Sequence, residues 1–199
     1  MIKNNRWAFI HIPKNSGSNF KQYILSRNGA QNCFEKYGRH FTHQPLWWWE
    51  EKENLDGLQI VSIVRNPYSR ILSLYNYLSV KQNNHFGGFD NFLKNLPRDR
   101  INDIVKEESG NFAHEIAWDV FWPQYKFLES RKEREVKVFR LEDSLQFLEK
   151  IVGYNFSETK FHERNYNKDL KTRYNKYTKS IVDELYKEDF IRFDYKTEL

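Results

Sequence analysis

Three groups of residues in this chain have types and spacings that can do chemistry: a lysine in a small polar loop, an arginine followed by serines, and two histidines between them. The first lies in WAFIHIPKNSGSNF, Trp7 to Phe20. Lys14 brings a positive charge, and Gly17 with Ser16 and Ser18 lets the backbone turn tightly enough to aim several N–H groups at one point. Such a loop is built to hold a phosphate or sulfate. In the second group Arg65 follows an apolar run, and Ser69 and Ser73 come after it on one helical face that turns back toward it. An arginine plus a hydroxyl at the carboxyl end of a strand is a second phosphate clamp. His40 and His43 sit in the polar connection between the two, and histidine is the natural base for taking a proton from a hydroxyl near neutral pH. The plainer alternative for each is a loop histidine with no part in chemistry.

The elements that must position these groups are readable from periodicity. Trp7 to Ile12 is apolar on both alternating faces apart from His11, which predicts a central parallel strand ended by Pro13. Phe20, Tyr23 and Ile24 recur at helical spacing, so Ser18 or Asn19 is placed to cap a helix whose positive end faces the loop, and Asn28 with Gly29 closes it. Leu58 to Val64 is a second strand, and Pro67 stands at the first turn of a helix whose Tyr68, Ile71, Leu72, Tyr75 and Leu78 are expected to pack on the sheet. Lys137 to Arg140 predicts a short strand, after which Glu142 and Asp143 open a helix that Gly153 ends. FAHEIAWDVFWPQYKFLES reads as a helix interrupted near Pro123, and Tyr177, Ile181, Leu185 and Tyr186 as one face of a C-terminal helix.

The bulk properties narrow the function classes. At 199 residues, 1–199 is expected to form one α/β domain. A net charge of +5 suits an anionic nucleotide or an acidic glycan but lacks the dense basic stripe of a dedicated DNA binder. Aromatic residues make up 17% of the chain, and Trp47, Trp48 and Trp49 stand in a row, most of them expected to serve packing. Cys33 is the single cysteine, which excludes an intramolecular disulfide and favours a buried structural thiol in a reducing compartment. No apolar run approaches the roughly 20 residues of a membrane span, so the expectation is a soluble, cytoplasmic protein with no membrane partner.

The first loop is not a Walker A loop, because Lys14 precedes Gly17 and no Lys-Ser/Thr pair is there to bring in a magnesium ion. HIPKNSGSNF instead resembles the 5′-phosphosulfate loop of sulfotransferases that use 3′-phosphoadenosine-5′-phosphosulfate (PAPS). The carbohydrate branch, of the sulfotransferase family 2 type, commonly has a form similar to HIPKTGGTS. This chain departs from it at Asn15, Ser16, Ser18 and Asn19 and keeps Lys14 and Gly17. VRNPYSRILSLYNY resembles the 3′-phosphate motif of the same enzymes, in which an arginine is followed eight residues later by a serine, as Arg65 is by Ser73. Related sulfotransferases have a segment similar to H-x-T-A before the next strand; His40 falls on its histidine, Thr42 on its threonine, and His43 replaces a small residue. PQYKFL is similar to a PQ-x-x-[FY]-L segment in which Gln124 would contact the acceptor or shape the site, and RLEDS to an element that would bring Arg140 and Glu142 near the adenine.

The resemblance implies a three-layer, P-loop-like sulfotransferase fold with a mainly parallel central sheet and PAPS across the carboxyl ends of its strands. Lys14, Asn15, Ser16, Gly17, Ser18 and Asn19 would hold the 5′-phosphosulfate, and Arg65 with Ser73 the 3′-phosphate. His40, or His43 beside it, would act as base and Lys14 would neutralise the leaving group, with no metal. The acceptor would be a small-molecule or glycan hydroxyl, most simply a carbohydrate. His85, beside Gly87 and Gly88, could enter catalysis but is expected to be exposed in a loop, and His114 is expected to be structural or near the acceptor cleft rather than the base. Two other readings of the same residues stay open: a P-loop nucleotide or small-molecule kinase, and a single-stranded nucleic acid binder that uses basic and aromatic side chains. Under the sulfotransferase reading no nucleic acid partner is expected.

Overall fold

The computed structural model describes residues 1–16, 20–21, 24–25, 29–38, 43–81, 86–96, 118–143, 146–153 and 170–199. In chain order the strands are β1 Ile2–Lys3, β2 Trp7–Ile10, β3 Gln31–Asn32, β4 Gln59–Val64 and β5 Val136–Arg140. The helices are α1 Phe34–Tyr37, α2 Leu46–Lys52, α3 Pro67–Lys81, α4 Phe89–Lys94, α5 Gln146–Val152, α6 Leu170–Arg173, α7 Lys176–Leu185 and α8 Lys187–Arg192. Two 3₁₀ turns, Trp118–Phe121 and Gln124–Leu128, flank Pro123, where the sequence predicts one broken helix. Proline cannot donate to a helix ladder, and here it separates two tight turns. The described chain divides into two compact units, the first formed by Met1–Asn66 with Gln124–Arg164 and the second by Pro67–Pro123 with Asn165–Leu199.

The first unit carries the sheet, in the order β3-β1-β2-β4-β5. β2 pairs with β4, and β4 with β5, in parallel, while β1 runs antiparallel to both β2 and β3. The parallel part is the expected one; the antiparallel margin makes the sheet mixed. All four residues of β2 are buried, as a strand covered on both faces requires. Trp7, Phe9, Val61 and Ile63 point into one cluster with Phe20, Ile24 and the α5 residues Leu148 and Val152. Ala8, Ile10 and Ile60 point the other way, into a cluster with Leu46 and Trp49 of α2. The period-2 alternation of the strands thus builds three layers. The buried Ser62 is satisfied by donating to the Ile10 carbonyl at 2.9 Å, and Gly153, at φ 69°, ends α5 as expected.

Packing also answers the aromatic row. Trp49 is fully buried, Trp48 lies edge-on to it at 4.7 Å between centroids, and Arg131 covers Trp47 at 4.4 Å. Cys33 is buried, and desolvation raises its pKa.

The second unit is helical. Residues 67–74 of α3 are buried on every side, so this stretch is a central helix rather than an amphipathic one. Tyr68, Ile71, Leu72 and Leu78 pack in a cluster with Phe89, Phe92, Ile181, Tyr186 and Phe190, and that cluster contains no strand residue. The sequence assigned this face to the sheet; within the second unit it packs against Phe89 and Phe92 of α4, Ile181 of α7 and Phe190 of α8. Arg70 is 1% exposed and donates to the carbonyls of Trp122 at 2.8 Å and Val120 at 3.1 Å. On α7 the expected face holds for Ile181 and Tyr186, but Tyr177 is 54% exposed and Thr178 is buried in its place. Thr178 also takes part in a capping box, in which Asn175 accepts from the Thr178 N–H and Thr178 accepts from the Asn175 N–H.

Candidate active site

The parallel strands β2, β4 and β5 end on one side of the sheet, so the segments after Ile10, Val64 and Arg140 share that edge. Ligands of open α/β sheets bind at such carboxyl edges. After β2 the chain turns at Pro13, and Lys14 and Ser16 adopt left-handed backbone, at φ 69° and 60°. Two non-glycine residues in that region within one short loop are costly and are held by their surroundings, a state concentrated at ligand-binding sites. The Asn15 N–H is turned to the Ile12 carbonyl at 3.4 Å, and the Ser16 carbonyl accepts from the Phe20 N–H at 3.1 Å in a helical i to i+4 bond. Gly17, Ser18 and Asn19, and with them the predicted cap, lie outside the described residues.

Asn15 is 1% exposed, and its side chain runs inward. Its Nδ2 donates to the Ile63 carbonyl at 2.9 Å and to Gln124 Oε1 at 2.6 Å. The spacing of the loop gives no sign of this anchoring role. In this arrangement the Asn15 side chain shapes the loop by tying it to the end of β4.

Arg65 leaves β4 next to the same loop. Its Nη1 donates to the Lys14 carbonyl at 3.4 Å, so the two cations of the sequence-predicted clamps belong to neighbouring segments. Ser73 lies on α3 in the second unit and is 9% exposed; Ser69, four residues before it, is 1% exposed. After β5, Glu142 accepts from the Asn66 N–H at 2.9 Å, which ties this segment to the one that follows β4, and Arg140 pairs with Asp143 at 2.7 Å.

Of the two histidines, His40 lies outside the described residues, as do Thr42, His85 and His114. His43 is described. Its Nδ1 stands 3.2 Å from the carbonyl oxygen of His11, and the two rings are 4.5 Å apart between centroids. A carbonyl can only accept, so Nδ1 carries the proton, and in the neutral ring Nε2 carries the lone pair. His11 itself is buried; desolvation, with His43 as the next cause, lowers its pKa well below the usual histidine value, so it is neutral. The edge thus brings together Lys14, Arg65 and a histidine with a fixed tautomer. Two cations at a strained loop suit a dianionic phosphosulfate or phosphate, and the oriented imidazole suits a proton-losing hydroxyl beside it. The sequence reading names Gln124 as contacting the acceptor or shaping the site but not its partners, and it misses the inward Asn15 and the His11–His43 pair.

Comparison with known proteins agrees with this chemistry. The model of the family described as "Sulfotransferase family" matches residues 1–196. That match covers both compact units. No curated protein and no solved structure matches the chain. A strained lysine loop and an adjacent arginine at the carboxyl edge of an α/β sheet, within a match that runs almost end to end, identify the chain as a member of the sulfotransferase family, an enzyme that uses PAPS as its sulfuryl donor.

Proposed function

We propose that this sulfotransferase acts on a carbohydrate hydroxyl and that a histidine of the 40–43 connection is its base. Bound PAPS supplies a sulfuryl group on a phosphate leaving group, so transfer needs a base at the acceptor and positive charge at the phosphate. Lys14, with the loop amides up to Asn19, binds the 5′-phosphosulfate and neutralises the charge that develops on the leaving oxygen. Arg65 binds the 3′-phosphate by charge-assisted hydrogen bonds, and Ser73 is assigned to the same group by its eight-residue spacing alone. His43 or His40 takes the proton of the acceptor hydroxyl as the oxygen attacks.

The observation that carries this reading is the bond from His43 Nδ1 to the His11 carbonyl at 3.2 Å, since it leaves the basic lone pair on Nε2 at the same edge as Lys14. His40 is supported by its register with the H-x-T-A segment. The carbohydrate class is supported by the resemblance of the lysine loop and of PQYKFL to the carbohydrate branch. A cytoplasmic location belongs to the same proposal, since the single cysteine, Cys33, suits a reducing compartment. Among the described residues no helix is long and apolar enough to cross a membrane.

The experiment is a transfer screen with labelled PAPS over glycans, phenols and lipid alcohols. Label is expected in glycans. Label confined to phenols or lipids overturns the acceptor class.

A further inference from the structure

Gln124 opens the second 3₁₀ turn and is fully buried. Its Oε1 accepts from the Arg65 N–H at 2.8 Å, and its Nε2 donates to the Arg65 carbonyl at 2.8 Å. One side-chain amide therefore exchanges both bonds with one backbone residue, as a residue of an antiparallel strand would. The same Oε1 accepts from the Asn15 side chain at 2.6 Å, and Asn15 is held in turn by the Ile63 carbonyl at 2.9 Å. Arg65 reaches back to the Lys14 carbonyl at 3.4 Å. The bonds close a ring: lysine loop to Gln124, Gln124 to Arg65, Arg65 to lysine loop.

The chemistry of the ring is specific to a carboxamide. A carboxamide donates from one terminal atom and accepts at the other in a single uncharged planar unit, which matches the N–H and C=O of one residue. In a buried place the loss of either half leaves a desolvated backbone group without its partner. We infer that Gln124 is a positioning residue that fixes the Arg65 backbone against the Lys14 loop before the nucleotide arrives, so that two phosphates of one molecule are recognised together. Holding two binding groups at a preset separation removes an ordering cost from binding. Gln124 meets no reacting atom in this role; it acts through Arg65 and Asn15. The inference rests on the proposed assignment of Lys14 to the 5′ group and Arg65 to the 3′-phosphate.

The test compares adenosine 3′,5′-bisphosphate with adenosine 5′-monophosphate by calorimetry on the full chain. Gln124→Met keeps the volume and removes both bonds. Gln124→Glu keeps the shape and sets a carboxylate oxygen against the Arg65 carbonyl. In each variant the preference for the bisphosphate is expected to fall about tenfold, with affinity for the monophosphate changed by less than about threefold. Equal weakening of both ligands means a merely structural role and overturns the inference, as does an unchanged preference. If Gln124→Met shows no cooperative unfolding, Gln124→Glu is read alone. Hydrogen exchange adds a check in the wild type, where the Arg65 amide is expected to be slow and rapid exchange overturns the inference. A wild type with no preference for the bisphosphate would instead overturn the assignment of the two phosphates, which separates that failure from a failure of Gln124.

Discussion

His43 and His11 form a pair in which one ring is oriented by the other residue's backbone: Nδ1 of His43 lies 3.2 Å from the His11 carbonyl oxygen, with ring centroids 4.5 Å apart. The arrangement does for His43 what a carboxylate or carbonyl does for any basic imidazole, fixing which nitrogen holds the proton. His11 adds no competing charge, because its burial keeps it neutral.

The pair makes His43 a candidate base beside His40. His43→Ala is expected to lower kcat by about 10² to 10⁴ with adenosine 3′,5′-bisphosphate affinity nearly unchanged, if His43 takes the proton. The family register predicts that same loss for His40→Ala, with His43→Ala acting on the acceptor KM. Steady-state kinetics of both single variants and the double variant assign the role. Near-wild-type kcat in all three would remove this connection from the chemistry.

Burial of His11 makes stability depend on pH. The unfolded chain takes up a proton near pH 6.5, whereas the folded chain resists it because desolvation and the neighbouring His43 lower the His11 pKa. The unfolded state therefore binds more protons as pH falls. The contribution is intact above about pH 6.5 and declines below it by up to about 1.4 kcal/mol per pH unit. Thermal melts from about pH 7.5 to about pH 5.5 should show a steeper fall in Tm for the wild type than for His11→Gln. Parallel slopes would contradict a buried neutral His11.

Charge at the leaving group comes from Lys14 in this account, so label transfer from PAPS is expected to persist in excess EDTA. Lys14→Ala should reduce kcat by about 10² or more, in line with the loss of one preorganised charge-stabilising group. Activity abolished by EDTA and restored by magnesium would favour the kinase-like reading of the loop.

What the sequence made legible depended on the range of the interaction. β2 and β4 were readable because a covered parallel strand needs apolar residues on both faces, β5 only as a short run before Glu142, and Lys14 and Arg65 because their types and their places after strands were local facts. β1 and β3, two residues each, are too short to show any alternation. The apolar face of α3 was legible but its partner was not, since periodicity shows that a face is buried and not what buries it. The same limit hid the inward Asn15 and the work of Gln124, which meet across 109 positions of chain. Asparagine at a predicted anion loop reads as a polar cradle residue, and nothing in its neighbours shows that its amide is spent on Ile63 and Gln124.

The central claim is that Arg65, held beside the Lys14 loop, reads the 3′-phosphate of the nucleotide. Calorimetric titration of wild type and Arg65→Ala with adenosine 3′,5′-bisphosphate and adenosine 5′-monophosphate tests it most directly. The account predicts that the variant loses about 1.5 to 3 kcal/mol of bisphosphate binding, roughly 10- to 150-fold, and little of the monophosphate's. Equal weakening of both ligands, or unchanged affinity for the bisphosphate, would contradict it.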